Sequence, residues 1–85
     1  MFFMYILKSS KDGELYIGST NNLKKRFKEH NAGFVESTRN RAPFRLVYYE
    51  AYASEAEARH RELNLKLRGR ARLQLFRRIN QSLAS

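Results

Sequence analysis

Apolar and polar positions along this chain follow two periods, and each period predicts a different kind of element. Residues 2–7 form a run of apolar, aromatic and branched side chains, which is typical of a buried strand. The turn pair Asp12-Gly13 predicts a hairpin, and residues 15–17 form the expected return strand. The chain is therefore expected to begin with a β-hairpin.

A third strand is expected from Phe44 to Ala51, directly after Pro43, which suits a strand start. Strict alternation divides its side chains into two faces, with Phe44, Leu46 and Tyr48 on one and Arg45, Val47 and Tyr49 on the other. The tyrosines of this segment either pack in the core or stack on bases. Packing is the favoured interpretation for a small domain.

Helical periodicity follows the hairpin. Thr20 or Asn21 is expected to cap a helix that starts near Asn22, and Gly33 is placed to end it in a left-handed conformation. Residues 34–43 carry polar and charged side chains and are expected to form an exposed loop. This loop joins the first helix to the third strand.

Two further helices are expected in the second half of the chain. Ser54 and Glu57 form a capping box, which predicts a helix from there to about Arg68. Gly69 separates a last basic helix, residues 70–83. The apolar positions of that helix share one face, namely Leu73, Phe76, Ile79 and Leu83.

Length and composition narrow the class of protein. Eighty-five residues are expected to form one domain, residues 1–85, with a thin core. The sequence has no cysteine, which excludes disulfides and thiolate metal sites and makes the cytosol the natural compartment. No apolar run approaches the length of about 20 residues that spans a bilayer. We therefore expect a soluble, cytoplasmic protein with no membrane partner.

The charge balance changes the picture more than any other global property. The chain carries 17 Lys and Arg against 8 Asp and Glu, a net charge of +9. Charge runs are usually solvated surface, but this excess is large for the size and rich in arginine, which binds phosphate in a forked geometry. A polyanionic partner is the favoured interpretation, and nucleic acid is the first candidate.

Candidate chemistry lies on the hairpin and on two helices. Tyr5 and Tyr16 are on paired strands, while Arg26 and His30 are four residues apart and share a helix face. Glu62 falls on the inward stripe of its helix, where a carboxylate needs a partner. Two partners are open for this carboxylate: a structural salt bridge to Arg59, Lys66 or Arg26, or a divalent metal ion.

This constellation resembles the GIY-YIG nuclease family, including the catalytic domain of the excision-repair endonuclease subunit. The ordered set that carries the resemblance is Tyr5, Tyr16, Gly18, Arg26, His30 and Glu62. The second motif is intact as Tyr16-Ile17-Gly18, whereas the first falls on Phe3-Met4-Tyr5 and only its tyrosine matches. Ser19 stands where some relatives carry a lysine. The resemblance covers residues 2–68 and leaves the basic helix outside this core.

The resemblance implies the fold and the activity. We expect an α/β (α+β) fold in which a small three-stranded antiparallel sheet is flanked by helices. The implied function is that of a metal-dependent endonuclease that hydrolyses phosphodiester bonds in nucleic acid, with DNA favoured over RNA and DNA repair as a setting. The resemblance does not indicate which nucleic-acid sequence or structure is cleaved, and it does not indicate the oligomeric state.

The resemblance also implies roles for the site residues. Tyr5 would activate water, for which its pKa must fall from about 10, and Tyr16 would support it. Arg26 would hold the phosphate, and His30 would assist proton transfer. Glu62 would bind one Mg²⁺ or Mn²⁺ ion through oxygen. We expect these five side chains to converge in one shallow, solvent-accessible cleft.

Four further basic residues are candidate nucleic-acid contacts: Lys25, Arg39, Arg41 and Arg70. Arg39 and Arg41 belong to the loop that is thought to face substrate in this branch of the family, although the loop is equally well a solvated linker. Two alternatives to the nuclease remain. One is a non-catalytic basic module that binds nucleic acid, and the other is a basic protein that docks on an acidic partner.

Overall fold

The computed structural model describes residues Met1–Ser85 and is built around a sheet of three strands. The strands are β1 (Phe2–Ser9), β2 (Leu15–Thr20) and β3 (Phe44–Tyr52). The α-helices are α1 (Leu23–Asn31), α2 (Glu55–Leu67), α3 (Gly69–Arg78) and α4 (Asn80–Ala84), and a short 3-10 helix spans Arg39–Arg41. The element order agrees with the hairpin, the third strand and the helices that the sequence predicts.

The sheet has the strand order β2-β1-β3, and both pairings are antiparallel. The first strand is therefore central, with Tyr5 opposite Gly18 on one side and Tyr49 on the other. This arrangement confirms the expected α+β fold with a three-stranded antiparallel sheet.

Both faces of the central strand are covered, which explains its continuous apolar run. Met4 and Ile6 pack toward α2 and α3, in a cluster that includes Leu65 and Leu75. The other face is smaller, and its buried residues are Tyr5, Leu7 and Phe44, with Leu23 and Phe27 of α1 packed against them. The second cluster holds one of the candidate catalytic tyrosines, so the core and the candidate site share side chains.

The predicted alternation along β3 is wrong beyond Val47. The register between β1 and β3 shifts between Ile6 and Leu7, which pair with Tyr48 and Leu46 respectively. The extra residue moves Tyr48 to the face that packs on Ile6, away from Leu46. Alternation in a sequence cannot reveal a bulge, because the bulge is set by the pairing of two strands.

The ends of α1 differ in how well the sequence predicts them. The cap is Asn22, whose side chain accepts a hydrogen bond from the Lys25 backbone N–H, rather than Thr20 or Asn21. Thr20 instead accepts from the Asn22 N–H through its hydroxyl at 3.1 Å. Gly33 ends the helix with φ of 80°, as predicted.

The second half contains one confirmed helix and one correction. Ser54 caps α2 by accepting from the Glu57 N–H, and the helix ends at Leu67. The predicted single helix over residues 70–83 is two helices that break at Ile79. Leu73 is exposed, and Leu75 occupies the core instead. No helix has both the length and the apolar character needed to cross a membrane.

Candidate active site

Gly18 determines where the phenol of Tyr5 lies. Tyr5 is on β1 directly opposite Gly18 on β2, and its ring crosses the space that a side chain at position 18 would fill. A Cβ atom at Gly18 would be 2.6 Å from Tyr5 Cζ and Oη and 3.0 Å from Tyr16 Cε2. The glycine of the second motif is therefore required by close packing of both tyrosines.

A chain of buried hydrogen bonds starts at Tyr5. Tyr5 Oη is 2.8 Å from His30 Nε2, and His30 Nδ1 is 2.7 Å from Thr38 Oγ1. Thr38 Oγ1 also donates to the Val35 carbonyl at 3.4 Å, so it accepts from His30. This assignment leaves Nε2 as the acceptor for the Tyr5 hydroxyl.

Thr38 holds the His30 ring in place, a role that no motif in the sequence indicates. Residues 34–43 were expected to be an exposed loop, yet Val35 and Thr38 are buried. The signal for this anchoring is weak, since a threonine near a glycine-terminated helix is common in loops. Only the three-dimensional structure shows that Thr38 of this loop packs against the His30 ring.

Burial shifts the pKa of both Tyr5 and His30. Burial raises the pKa of Tyr5 to about 12, although Arg26 beside the phenol acts to lower it. Burial lowers the pKa of His30 to about 4, and the charge of Arg26 adds to this effect. His30 is thus neutral at pH 7. The expected fall of the Tyr5 pKa is wrong for this state of the protein, because desolvation outweighs the cationic neighbour.

Tyr16 lies at the outer edge of the same cluster. Its ring centroid is 5.0 Å from that of His30 and 6.3 Å from that of Tyr5. Lys66 Nζ lies 5.7 Å from the Tyr16 ring centroid, and Tyr16 is half-buried. Tyr5 and His30 are inaccessible to solvent, and Arg26 and Tyr16 line two different pockets. The prediction that all five side chains converge in one solvent-accessible cleft is therefore wrong.

Glu62 has two partners in the structure. Ser19 Oγ donates to Glu62 Oε1 at 2.5 Å, and Lys66 Nζ donates to Glu62 Oε2 at 2.7 Å. Of the three salt-bridge partners considered from the sequence, Lys66 is the one found, whereas Arg26 pairs with Glu29 at 3.3 Å. Glu62 also bears on the Tyr5 pKa, since its negative charge raises it.

The donor set at Glu62 is small but of the right chemical type for a hard cation. No group of three or more His, Cys, Asp or Glu side chains is arranged to hold a metal ion. Glu62 and the Ser19 hydroxyl offer oxygen donors at one point. Mg²⁺ is commonly held by one or two carboxylates together with substrate phosphates and water, so these residues fit an ion that arrives with substrate.

A polar cleft of about 350 Å³ opens beside this cluster. Arg26 and Ser19 line it from the side of the sheet and α1, and Arg59 lines it from α2. The Arg26 side chain is 38% exposed, so its guanidinium is accessible from the cleft. Arg26 therefore links the buried Tyr5 to a surface that a substrate phosphate can reach.

Three of the four predicted nucleic-acid contacts are exposed side chains, whereas the fourth is already hydrogen-bonded within the fold. Lys25, Arg39 and Arg70 are exposed, and Lys25 lines the cleft. Arg41 is engaged within the fold: it donates to Asp12 and to the Leu15 carbonyl and lies over the Phe44 ring. The prediction that Arg41 contacts phosphate is therefore disfavoured, because this guanidinium fastens the 3-10 turn to the hairpin.

Comparisons with known proteins identify the family of this chain. The GIY-YIG catalytic domain family matches residues 1–80. A UPF0213 protein of Clostridium perfringens is 49% identical over 67 residues, which are 78% of this chain and 71% of that protein. A UPF0213 protein of Bacillus pumilus is 40% identical over 75 residues, which are 87% of this chain and 76% of that protein.

A solved structure also matches. The solution NMR structure of a UPF0213 protein from Bacillus halodurans is 40% identical, with a TM-score of 0.54. The match covers 88% of this chain and 82% of that one. The GIY-YIG family consists of nucleases that generally use divalent metal ions. The tyrosine pair packed on Gly18 and the match over residues 1–80 together show that this chain belongs to the GIY-YIG family.

Proposed function

We propose that the protein is a metal-dependent endonuclease that hydrolyses phosphodiester bonds in nucleic acid, with DNA favoured over RNA. One observation carries the proposal. The Tyr5 phenol donates to His30, lies beside Arg26 and feels the charge of Glu62, and pure binding of nucleic acid requires neither the buried Tyr5–His30 hydrogen bond nor the placement of Glu62. The adjoining cleft supplies access for the phosphate at Arg26.

In this proposal the two tyrosines and His30 handle the proton of the attacking water. The Tyr5 hydroxyl donates to Nε2 of the neutral His30, which fixes the orientation of the phenol. Arg26 favours the phenolate by its positive charge. Tyr16 is the more accessible of the two phenols and shares the role at the outer edge of the site.

Arg26 and Glu62 are assigned to the phosphate and to the metal ion. Arg26 is placed to hold the scissile phosphate and to stabilise the charge that develops on it. Glu62 and Ser19 would hold Mg²⁺ or Mn²⁺, which when bound supplies Lewis acidity near the leaving oxygen. Lys66 holds the second oxygen of Glu62 and keeps this carboxylate oriented.

The proposal is tested by incubation with plasmid, branched and single-stranded substrates in the presence of Mg²⁺ or Mn²⁺. The parent protein should cleave at least one of them. Glu62→Gln keeps the shape of the side chain but loses its charge, so it should abolish cleavage while metal-free binding stays equal or becomes tighter. Glu57→Gln, an exposed change on the same helix, is the matched control and should cleave normally.

Arg26→Ala should weaken both cleavage and binding, because Arg26 contacts phosphate in the ground state as well as in the transition state. The second candidate function is a non-catalytic basic module that binds nucleic acid. Binding by the parent protein without cleavage of any substrate with either metal ion would favour that alternative. Cleavage by Glu62→Gln at the parent rate would make Glu62 a structural salt-bridge residue and contradict the metal-dependent mechanism.

A further inference from the structure

Phe34 is the most exposed aromatic side chain among the large hydrophobic residues at the surface, at 80% exposure. It lies just after α1, in a helix C-cap whose hydrogen bonds fix its backbone. The Gly33 N–H donates to the His30 carbonyl, and the Phe34 N–H donates to the Glu29 carbonyl at 3.0 Å. Val35, the next residue, is buried. The backbone of Phe34 is therefore held on both sides while its ring faces solvent.

The Phe34 ring does not pack against the C-terminal end of α1. In this type of closure an apolar side chain at the Phe34 position usually packs against the last turns of the helix. Here the residues at those positions are Glu29 and Lys28, which are charged. Burial of a phenylalanine side chain stabilises a fold, and this small domain leaves that gain unused. The exposed ring is therefore free to contact a ligand.

Three lysines line the same groove as Phe34, along the outer face of α1. The residues lining this groove are Asn22, Lys24, Lys25, Lys28, Glu29, Ala32 and Phe34. Positive side chains beside an exposed aromatic ring are the combination that binds unpaired nucleic acid: the cations contact phosphates, and the ring stacks on a base. A duplex does not offer the face of a base to such a ring, because its bases are already stacked.

The groove adjoins the cleft that Arg26 lines. Both are lined by Asn22, Lys25 and Glu29. The distance along α1 from Arg26 to the helix end at Asn31 is about 7.5 Å at about 1.5 Å per residue. Stacked nucleotides of one strand are spaced by about 3.4 Å, so about two of them span this distance. A strand with one phosphate at Arg26 therefore reaches Phe34 within a few nucleotides.

We propose that Phe34 and the lysines of α1 bind an unpaired segment of nucleic acid next to the cleaved phosphate, with Phe34 stacked on a base. The inference rests on the proposed function, because it places the segment relative to Arg26. It names the substrate class as single-stranded, frayed or branched nucleic acid. The chemistry is shared by DNA and RNA, and the experiment includes both.

The experiment measures binding without metal ions, so that cleavage plays no part. Fluorescein-labelled single-stranded DNA, single-stranded RNA and duplex DNA are titrated with the parent protein, Phe34→Ala and Phe34→Trp. Phe34→Ala should lower single-strand affinity about 5- to 100-fold and leave duplex affinity unchanged. Phe34→Trp should retain single-strand affinity. A loss in either the DNA or the RNA arm supports the inference and identifies the nucleic acid.

Two controls separate stacking from general effects. Leu67→Ala removes another exposed apolar side chain, on α2, and should change nothing. Lys28→Met should reduce the salt dependence of single-strand binding, whereas Phe34→Ala should leave that dependence unchanged because the ring is uncharged. Lys11→Met, on the hairpin, is the charge-matched control.

Three results would overturn the inference: unchanged single-strand affinity in Phe34→Ala, equal losses for single strands and duplex, or binding of a polyglutamate peptide with the same dependence on Phe34. Each would leave the cleavage assays unaffected. Conversely, a protein that cleaves nothing but shows the Phe34-dependent preference would contradict the nuclease and retain the single-strand site.

Discussion

At the scale of single residues, the site depends on the absence of a side chain at position 18. Gly18→Ala would place a methyl group 2.6 Å from the Tyr5 ring, which cannot move freely because His30 holds its hydroxyl. We expect a loss of stability of about 1–3 kcal/mol, typical of overpacking, measured by urea denaturation. Gly69→Ala is the control: its new Cβ would meet only Arg72 at 3.7 Å. Equal stability of the two variants would show that Tyr5 relocates easily.

His30 predicts a pH dependence of folding. Its pKa is about 4 in the folded protein against 6.5 for the ordinary side chain, mainly because of burial. The unfolded chain therefore binds the proton first, and stability falls as pH decreases from about 6.5 toward 4. The loss between pH 6.5 and 5 is roughly 2 kcal/mol. It should appear in urea denaturation of the parent and disappear in His30→Gln.

The matched control for this pH effect is His60→Gln, because His60 is exposed on α2. That variant should keep the pH dependence of the parent. The carboxylates with a lowered pKa, Asp12 and Glu50, contribute at lower pH, since their folded-state advantage is lost only as they protonate. If the free energy of unfolding of His30→Gln depends on pH above 5 as steeply as that of the parent, His30 is not the group responsible.

At the scale of elements, the loop between α1 and β3 is fastened to the site by Thr38. Thr38→Val keeps the shape of the side chain but leaves His30 Nδ1 without its partner at 2.7 Å. An unsatisfied buried polar group destabilises by about 1–3 kcal/mol, which urea denaturation would measure. Thr38→Ser should recover most of the loss, because it retains the hydroxyl. The exposed neighbour Ser37 provides the control in Ser37→Ala, and a Thr38→Val protein as stable as this control would contradict the anchoring.

The sequence predicted elements better than it predicted their contacts. The hairpin turn, the third strand and the cap at Ser54 follow from local chemistry, and the structure confirms them. The break at Ile79 is not marked by glycine or proline in the sequence. The bulge near Val47 arises from the pairing of two strands, which no local pattern records. The same is true of Glu50, which accepts from Tyr48, Tyr52 and Arg61 and thereby joins β3 to α2.

At the scale of the whole molecule, the fold was predictable because it follows from an ordered motif set, and the same motifs bring candidate site residues of the hairpin and α1 together. Tyr5, Gly18 and Arg26 lie near one another since hairpin pairing and the following helix bring them together. Their burial and protonation were not predictable, because solvent exclusion depends on what the later helices and the loop cover. The expected fall in the Tyr5 pKa failed for that reason.

The net charge of +9 predicts salt-sensitive binding with weak sequence preference. Each phosphate contact contributes about −0.9 to the slope of log K against log salt for duplex DNA. Arg39→Gln and Arg70→Gln remove exposed charges, and each should reduce the magnitude of the slope by about 0.9 where that residue contacts phosphate. The measurement is duplex affinity by fluorescence anisotropy over a sodium chloride series.

Arg41→Gln is the matched control for this series, because Arg41 is already paired with Asp12 and with the Leu15 carbonyl. It should lower stability while leaving the slope nearly unchanged. This contrast separates arginines that are exposed to a ligand from an arginine that is paired within the fold. Both kinds contribute equally to the net charge. Duplex binding that ignores salt between low and moderate concentration would contradict a phosphate-directed surface and favour docking on an acidic protein partner.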